Sequence, residues 1–265
     1  MEFKGLGTTG ELVSEIGLGT WLYSGGERAI RRAVELGANF IDTAESYGTE
    51  DDVGKAILSF RHEVFLATKV SPNHFRHDDV IKAANESLGR LRTDYIDLYQ
   101  LHWHNPRVPV GETMSAMEEL VQEGKVRYIG VSNFSVAQLQ KAESSVSRNK
   151  IVSNQLPYSL VDRDIEGHLI PYCQQHEVTI IAYSPLAQGI SKITSRDGGG
   201  VIKSIAQETG HTEAQVALNW VVAHDAVIAI PKTSSIPHLE ENCDASGWRL
   251  QPEDMVRLNN AFPHK

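Results

Sequence analysis

Two short runs, Thr179-Ile180-Ile181-Ala182 and Val227-Ile228-Ala229-Ile230, are almost wholly apolar. A strand with one wet face alternates apolar and polar residues. A strand apolar on both faces is covered on both sides, as parallel strands flanked by helices are. Residues 201–209 and 213–223, between these runs, carry apolar positions at helical spacing. The unit is strand, helix, parallel strand, and it extends in both directions.

Toward the N-terminus, strands are predicted over 151–154, 126–131, 96–101, 64–68, 39–42 and 16–18. Helices follow them over 165–177, 136–145, 110–123, 78–91, 51–59 and 27–36. Gly37 and Gly124 stand just past two of these helices, at the left-handed position that ends many helices, and Asp78 stands near the N-cap of another. Toward the C-terminus, the strand over 226–230 leads to a short helix over 238–244, and a last helix covers 253–261. Residues 2–5 and 12–14 flank the turn cluster Thr8-Thr9-Gly10 and read as a hairpin placed to plug one end. Eight β–α pairs predict an α/β fold of the (β/α)8 TIM barrel class with an N-terminal β-hairpin and an extra C-terminal helix. It forms a single domain over residues 1–265. The rival is a doubly wound sheet, which binds dinucleotides through a glycine-rich turn after its first strand. Gly17-Leu18-Gly19-Thr20-Trp21 has one GxG, no third glycine and no helix starting at once, so it reads as a flexible strand end.

The formal net charge of −9 argues against a nucleic-acid partner, and no apolar run approaches the roughly 18 residues of a membrane span. The N-terminus lacks the basic head and apolar stretch of a secretory signal. Cys173 and Cys243 make neither a disulfide framework nor a metal spacing and read as thiols of a reducing, cytoplasmic compartment.

Barrels of this class place their chemistry at the C-terminal ends of the strands. Six consecutive strands end there in polar or aromatic residues: Asp42, with Tyr47 in the loop after it, then Lys69, His102-Trp103, Ser132-Asn133, Gln155 and Tyr183-Ser184. A phenol has an ordinary pKa of about 10 and is a poor acid at neutral pH. An adjacent ammonium stabilises the phenolate, a carboxylate keeps that ammonium in place, and a neutral imidazole orients a carbonyl oxygen. Asp42, Tyr47, Lys69 and His102 thus make a general-acid site for a developing alkoxide, with no nucleophile and no metal. Singly, each has a structural reading: a helix cap, a loop aromatic, a surface charge, a satisfied histidine. His104, and His74 with His77, lack a third metal ligand and read as loop residues.

The segment Asn39-Phe40-Ile41-Asp42-Thr43-Ala44-Glu45-Ser46-Tyr47-Gly48 resembles the aldo-keto reductase signature. So do Ala67-Thr68-Lys69, the segment from Asp94 to Trp103, Gly130-Val131-Ser132-Asn133, Ala182-Tyr183-Ser184-Pro185-Leu186 and Ile230-Pro231-Lys232-Thr233-Ser234-Ser235, from about residue 3 to 262. The resemblance implies reversible NAD(P)H-dependent reduction of aldehydes and ketones. Tyr47 would be the acid, tuned by Asp42 and Lys69, with His102 orienting the carbonyl. Ser132, Asn133 and Gln155 would hold the nicotinamide carboxamide, with Tyr183 stacked on its ring. Thr20, Trp21, Ser184, Leu186, Thr233 and Ser234 would contact the dinucleotide. Lys232 would meet the adenine-ribose phosphate, and Glu241 and Asn242 the adenine. Trp21, Tyr47, His102 and Trp103 would line the substrate pocket. His238 stands where many members place an arginine, a charged bidentate group that histidine does not replace. Lys232 and Thr233 still imply NADPH, with NADH as the alternative.

Short loops imply an open pocket with broad carbonyl specificity, and the chain is expected to be monomeric. Two other readings stand beside the reductase: a cofactor-binding sensor barrel with little turnover, and a Schiff-base aldolase using Lys69.

Overall fold

The computed structural model describes residues 1–263. A hairpin, β1 (Phe3–Gly5) and β2 (Leu12–Ser14), is followed by β3 (Leu18–Gly19), α1 (Gly26–Glu35), β4 (Phe40–Asp42) and α2 (Glu50–Ile57). The chain continues through β5 (Phe65–Val70), α3 (His77–Leu91), β6 (Ile96–Leu101), α4 (Val110–Gln122), β7 (Val126–Ser132) and α5 (Val136–Glu143). It then forms β8 (Ile151–Pro157), α6 (Leu169–Gln175), β9 (Thr179–Tyr183), α7 (Ile190–Thr194), α8 (Val201–Thr209) and α9 (Glu213–Val222). β10 (Val227–Ala229), α10 (Ile236–Cys243) and α11 (Pro252–Ala261) complete it.

Strands β3 to β10 form one parallel sheet in sequence order. The sheet closes on itself where Gly17 N donates to Ala229 O at 2.8 Å and Ala229 N donates to Glu15 O at 2.8 Å. The predicted barrel is the one observed. Closure explains the first strand. A Cβ on Gly17 would lie 2.6 Å from Phe40 O, and one on Gly19 would lie 2.8 Å from Ile230 O. These glycines are close-approach positions rather than a flexible end, and the strand predicted over 16–18 is observed over Leu18–Gly19.

The barrel interior holds Phe40, Phe65, Ala67, Leu98, Ile181 and Ile228, sealed at one end by Leu6 and Val13 from the hairpin segment. Burying each large side chain of this set contributes roughly 1.5–3 kcal/mol. A second apolar layer lies between strands and helices.

Three local expectations need correction. The helix predicted over 165–177 covers only Leu169–Gln175, because Pro171 has no N–H and its ring excludes a helical carbonyl at residue 167. The loop after β9 contains α7, where the sequence predicts no helix. His77 opens α3, whose N-cap is Arg76, instead of lying in a loop.

The eighth strand departs from even pairing. Ile129 pairs with Ile151, but the next residue, Gly130, pairs with Ser153, so β8 carries one extra residue. A bulge of this kind re-aims the side chains that follow it. Val152 points into the barrel, and so do Ser153 and Gln155, whereas Asn154 turns outward to bond the backbone of Phe134.

Candidate active site

The parallel register brings strand ends to one level: Asp42 beside Ala67, Lys69 beside Gln100, and Ser132 beside Gln155. Asp42 and Lys69 come from neighbouring strands and are almost completely buried, at 2% and 0% exposure. Lys69 Nζ donates to Asp42 Oδ1 at 2.6 Å and to Thr43 O at 2.8 Å, and lies 3.2 Å from Tyr47 Oη. Tyr47 reaches this point because a single 3₁₀ turn, Glu45–Tyr47, follows β4 and ends at Gly48 in the left-handed region, φ 71°. Tyr47 Oη is 3.4 Å from His102 Nε2.

Burial pulls the Lys69 pKa down, but Asp42 and Tyr47 more than offset this, and the net direction is up. The lysine is an ammonium, whereas a Schiff base needs a free amine, so the aldolase reading loses its nucleophile. Burial raises the pKa of Tyr47, and Lys69 opposes the rise. Burial, aided by the charge of Lys69, pushes His102 down to about 4, so its imidazole is neutral throughout the neutral range. These are the phenol, ammonium, carboxylate and neutral imidazole that proton donation to a carbonyl oxygen needs.

Beside them runs a polar chain. Tyr183 Oη donates to Asn133 Oδ1 at 2.9 Å. Asn133 Nδ2 donates to His102 O at 3.1 Å and Ser132 Oγ at 2.9 Å, and Ser132 Oγ donates to Gln155 O at 3.0 Å. Gln155 Nε2 donates to Asp42 Oδ2 at 2.8 Å. Its Oε1 is left without a partner among the described residues. Asn133, Ser184, Ala187 and Gln188 all have positive φ, between 50° and 65°. Each costs about 1–3 kcal/mol for a residue with a side chain, and such strain clusters at functional sites.

All of this opens on a cavity of about 850 Å³. Trp21, Ser46, Tyr47, His102 and Trp103 line it, with Thr20, Asp42, Ser132, Asn133, Gln155, Tyr183, Ser184 and Leu186. Lys232, Thr233, His238, Glu241 and Asn242 do so as well. The donor set fits a dinucleotide. Amide and hydroxyl groups stand beside Tyr183, and the exposed Lys232 stands near the N-terminus of α10, whose cap makes no side-chain hydrogen bond.

One expected residue lies elsewhere. Ser234 is absent from the wall; its Oγ accepts from Ser24 N at 2.9 Å and ties the first loop to the last. Lys69 stands against Tyr47, where a residue that tunes the phenol belongs. Sequence reasoning missed Leu22, Gln188, Gly189 and Ile190 on the wall, and Ala214 from α9. Helical packing and left-handed backbone bring them there, and neither leaves a local motif. His74 Nδ1 is 3.0 Å from Glu45 Oε1, and His104 packs edge-on against Phe134. Among the described residues no cluster of three or more His, Cys, Asp or Glu could hold a metal ion, and no helix is long and apolar enough to cross a membrane.

The sequence profile of the Aldo/keto reductase family matches residues 15–262. The methylglyoxal reductase YeaE of Escherichia coli K12 is 39% identical over 259 residues, covering 94% of this chain and 90% of YeaE. The aldo-keto reductase YhdN of Bacillus subtilis is 33% identical, covering 98% of this chain and 93% of YhdN. A crystal structure of an aldo-keto reductase from Klebsiella pneumoniae in complex with NADPH superimposes with a TM-score of 0.91 at 38% identity. It covers 100% of this chain and 97% of that one. On the strength of this agreement along nearly its whole length, the chain belongs to the aldo/keto reductase family and is an NAD(P)H-dependent oxidoreductase acting on carbonyl groups.

Proposed function

We propose that this reductase uses Tyr47 as the proton donor for small aldehydes and ketones, with NADPH as its preferred reductant and short 2-oxoaldehydes such as methylglyoxal among its substrates. The observation that carries the reading is the contact of one phenol oxygen with both the buried Lys69 ammonium and the neutral His102. The substrate class draws on the methylglyoxal reductases YeaE and DkgA of E. coli, 39% and 31% identical to this chain.

Bound in the cavity, the dinucleotide supplies the hydride that the carbonyl carbon accepts. The residues do the rest. His102 donates from Nε2 to the carbonyl oxygen and orients it. As charge develops on that oxygen, Tyr47 Oη releases its proton there, and Lys69 stabilises the phenolate left behind. Asp42 keeps the ammonium charged and fixed. Gln155 turns its Nε2 to Asp42, so its Oε1 is free to accept from the carboxamide. Ser132 and Asn133 complete that site, and Tyr183 offers its ring to the nicotinamide. Lys232, with Thr233 and the start of α10, takes the ribose phosphate. Trp21 and Trp103, about half exposed, cover the substrate. The barrel works as one domain over residues 1–265, as a monomer in the cytoplasm.

The test follows nicotinamide absorbance with NADPH or NADH and a carbonyl panel that includes methylglyoxal. Turnover should fall by about 10²–10⁴-fold in Tyr47→Phe while cofactor affinity holds. His238→Arg should raise the NADPH-to-NADH ratio by supplying a charged fork. Cofactor binding without turnover of any carbonyl would favour a sensor instead.

A further inference from the structure

We propose that Gln100 is a positioning residue of this site: with Gln155 it clamps Asp42, and the clamp sets how strongly Lys69 acts on Tyr47. This rests on the reading of Tyr47 as proton donor.

Gln100 lies on β6, two residues before His102 and on the same inner face. It is completely buried. Its Nε2 is 3.3 Å from Asp42 Oδ2, the oxygen that also accepts from Gln155 Nε2 at 2.8 Å, while Lys69 holds Oδ1 at 2.6 Å. Turning the Gln100 amide over would set its carbonyl against a carboxylate oxygen, so the nitrogen faces Asp42. The Oε1 atom then has no hydrogen-bond partner. An orphaned buried acceptor costs about 1–3 kcal/mol, which an apolar side chain of similar size would not incur. A barrel core that carries this cost beside its reacting groups marks the residue as functional.

The neighbouring strands are shaped to fit. A Cβ on Gly130 would lie 2.4 Å from Ser153 Oγ and 3.0 Å from Gln100 Cγ. Glycine at 130 therefore admits both the side chain that the β8 bulge turns inward and the amide of Gln100.

The charge of Asp42 is shared between one ammonium and two amides. Remove an amide and more of that charge falls on Lys69. The ammonium is then more fully neutralised and stabilises the phenolate less. The titratable groups around Tyr47 are Asp42 from β4, Lys69 from β5, His102 just after β6 and Tyr183 from β9. Of these, Asp42 is the one that Gln100 hydrogen-bonds, so the effect passes through it.

Gln100→Met keeps the volume and removes the donor. Its kcat for reduction should fall roughly tenfold with the KM for cofactor unchanged. The pH limb assigned to Tyr47 should move up by about half a unit to one unit in both reduction and alcohol oxidation. NMR titration of ring-labelled tyrosine, read against Tyr47→Phe, should show the same upward move without relying on turnover. It separates failure of this proposal from failure of the proton-donor reading. A pH profile and a tyrosine titration superimposable on the parent's would overturn the role of Gln100. If Gln100→Met does not fold, Gln100→Asn, which draws the amide back by one methylene, must shift the titration in the same direction; an unshifted titration overturns the proposal.

Discussion

At the closed end of the barrel, the buried carboxylate of Asp97 accepts from Arg61 Nη2 at 2.7 Å, Arg127 Nη1 at 2.7 Å and Leu66 N at 2.9 Å. Glu15, wholly buried, accepts from Arg249 through both oxygens and from Ser246 at 2.6 Å. At the open end, Asp42 is as deeply buried, but its partner Lys69 is shared with a phenol that also faces a cavity. The closed end satisfies each carboxylate with arginine, through one bidentate fork at Glu15 and through two arginines, one on each oxygen, at Asp97. The open end uses lysine, a point charge that can serve a carboxylate and a phenolate together. Burial of charge is common to both ends; only one leaves part of the charge available to a proton in transit.

Three substitutions probe this contrast. Lys69→Met should have the largest effect. It should lower kcat by about 10²–10⁴-fold and, by leaving Asp42 without its ammonium, destabilise the fold by about 3–5 kcal/mol. Steady-state kinetics and denaturant unfolding check both. Asp97→Asn should cost about 2 kcal/mol, less than a fully buried pair because Arg127 is partly solvated and still reaches Glu11. The kcat should be unchanged, since nothing at that end touches the cavity. Loss of turnover by the stable fraction of Asp97→Asn would erase the distinction between the ends.

The smallest effect concerns His102. Its folded-state pKa, about 4, lies below the ordinary 6.5, so the unfolded chain takes up a proton across that window while the folded chain refuses it. Stability from this group is complete above 6.5 and falls as pH drops toward 4. His102→Gln should flatten that part of the stability curve, as urea midpoints at successive pH values would show.

Much of the site was legible because barrel geometry turns a one-dimensional feature into a three-dimensional one. A polar residue closing an apolar strand lies at the mouth, so Asp42, Lys69, His102, Ser132, Asn133 and Gln155 could be picked out one strand at a time. Pro171 is equally legible as a block to the helix over 165–177, although the apolar spacing runs through it. Gln100 is not legible as a site residue, because its contact with Asp42 joins strands 58 residues apart and leaves no local motif. Ser234 has the right chain position, yet loop packing aims it at Ser24.

The sequence by itself determined the alternation of apolar strands and amphipathic helices, and with it the barrel and the residues at its strand ends. Those follow from local spacing and from the fact that parallel strands are covered on both sides. Tertiary structure decided which groups share a proton. Closure at Gly17 and Gly19 sets the strand levels, and the extra residue in β8 turns Gln155 inward onto Asp42. Both are relations between strands distant along the chain. The resulting contacts depend on register, which changes a side chain's face with every single-residue shift.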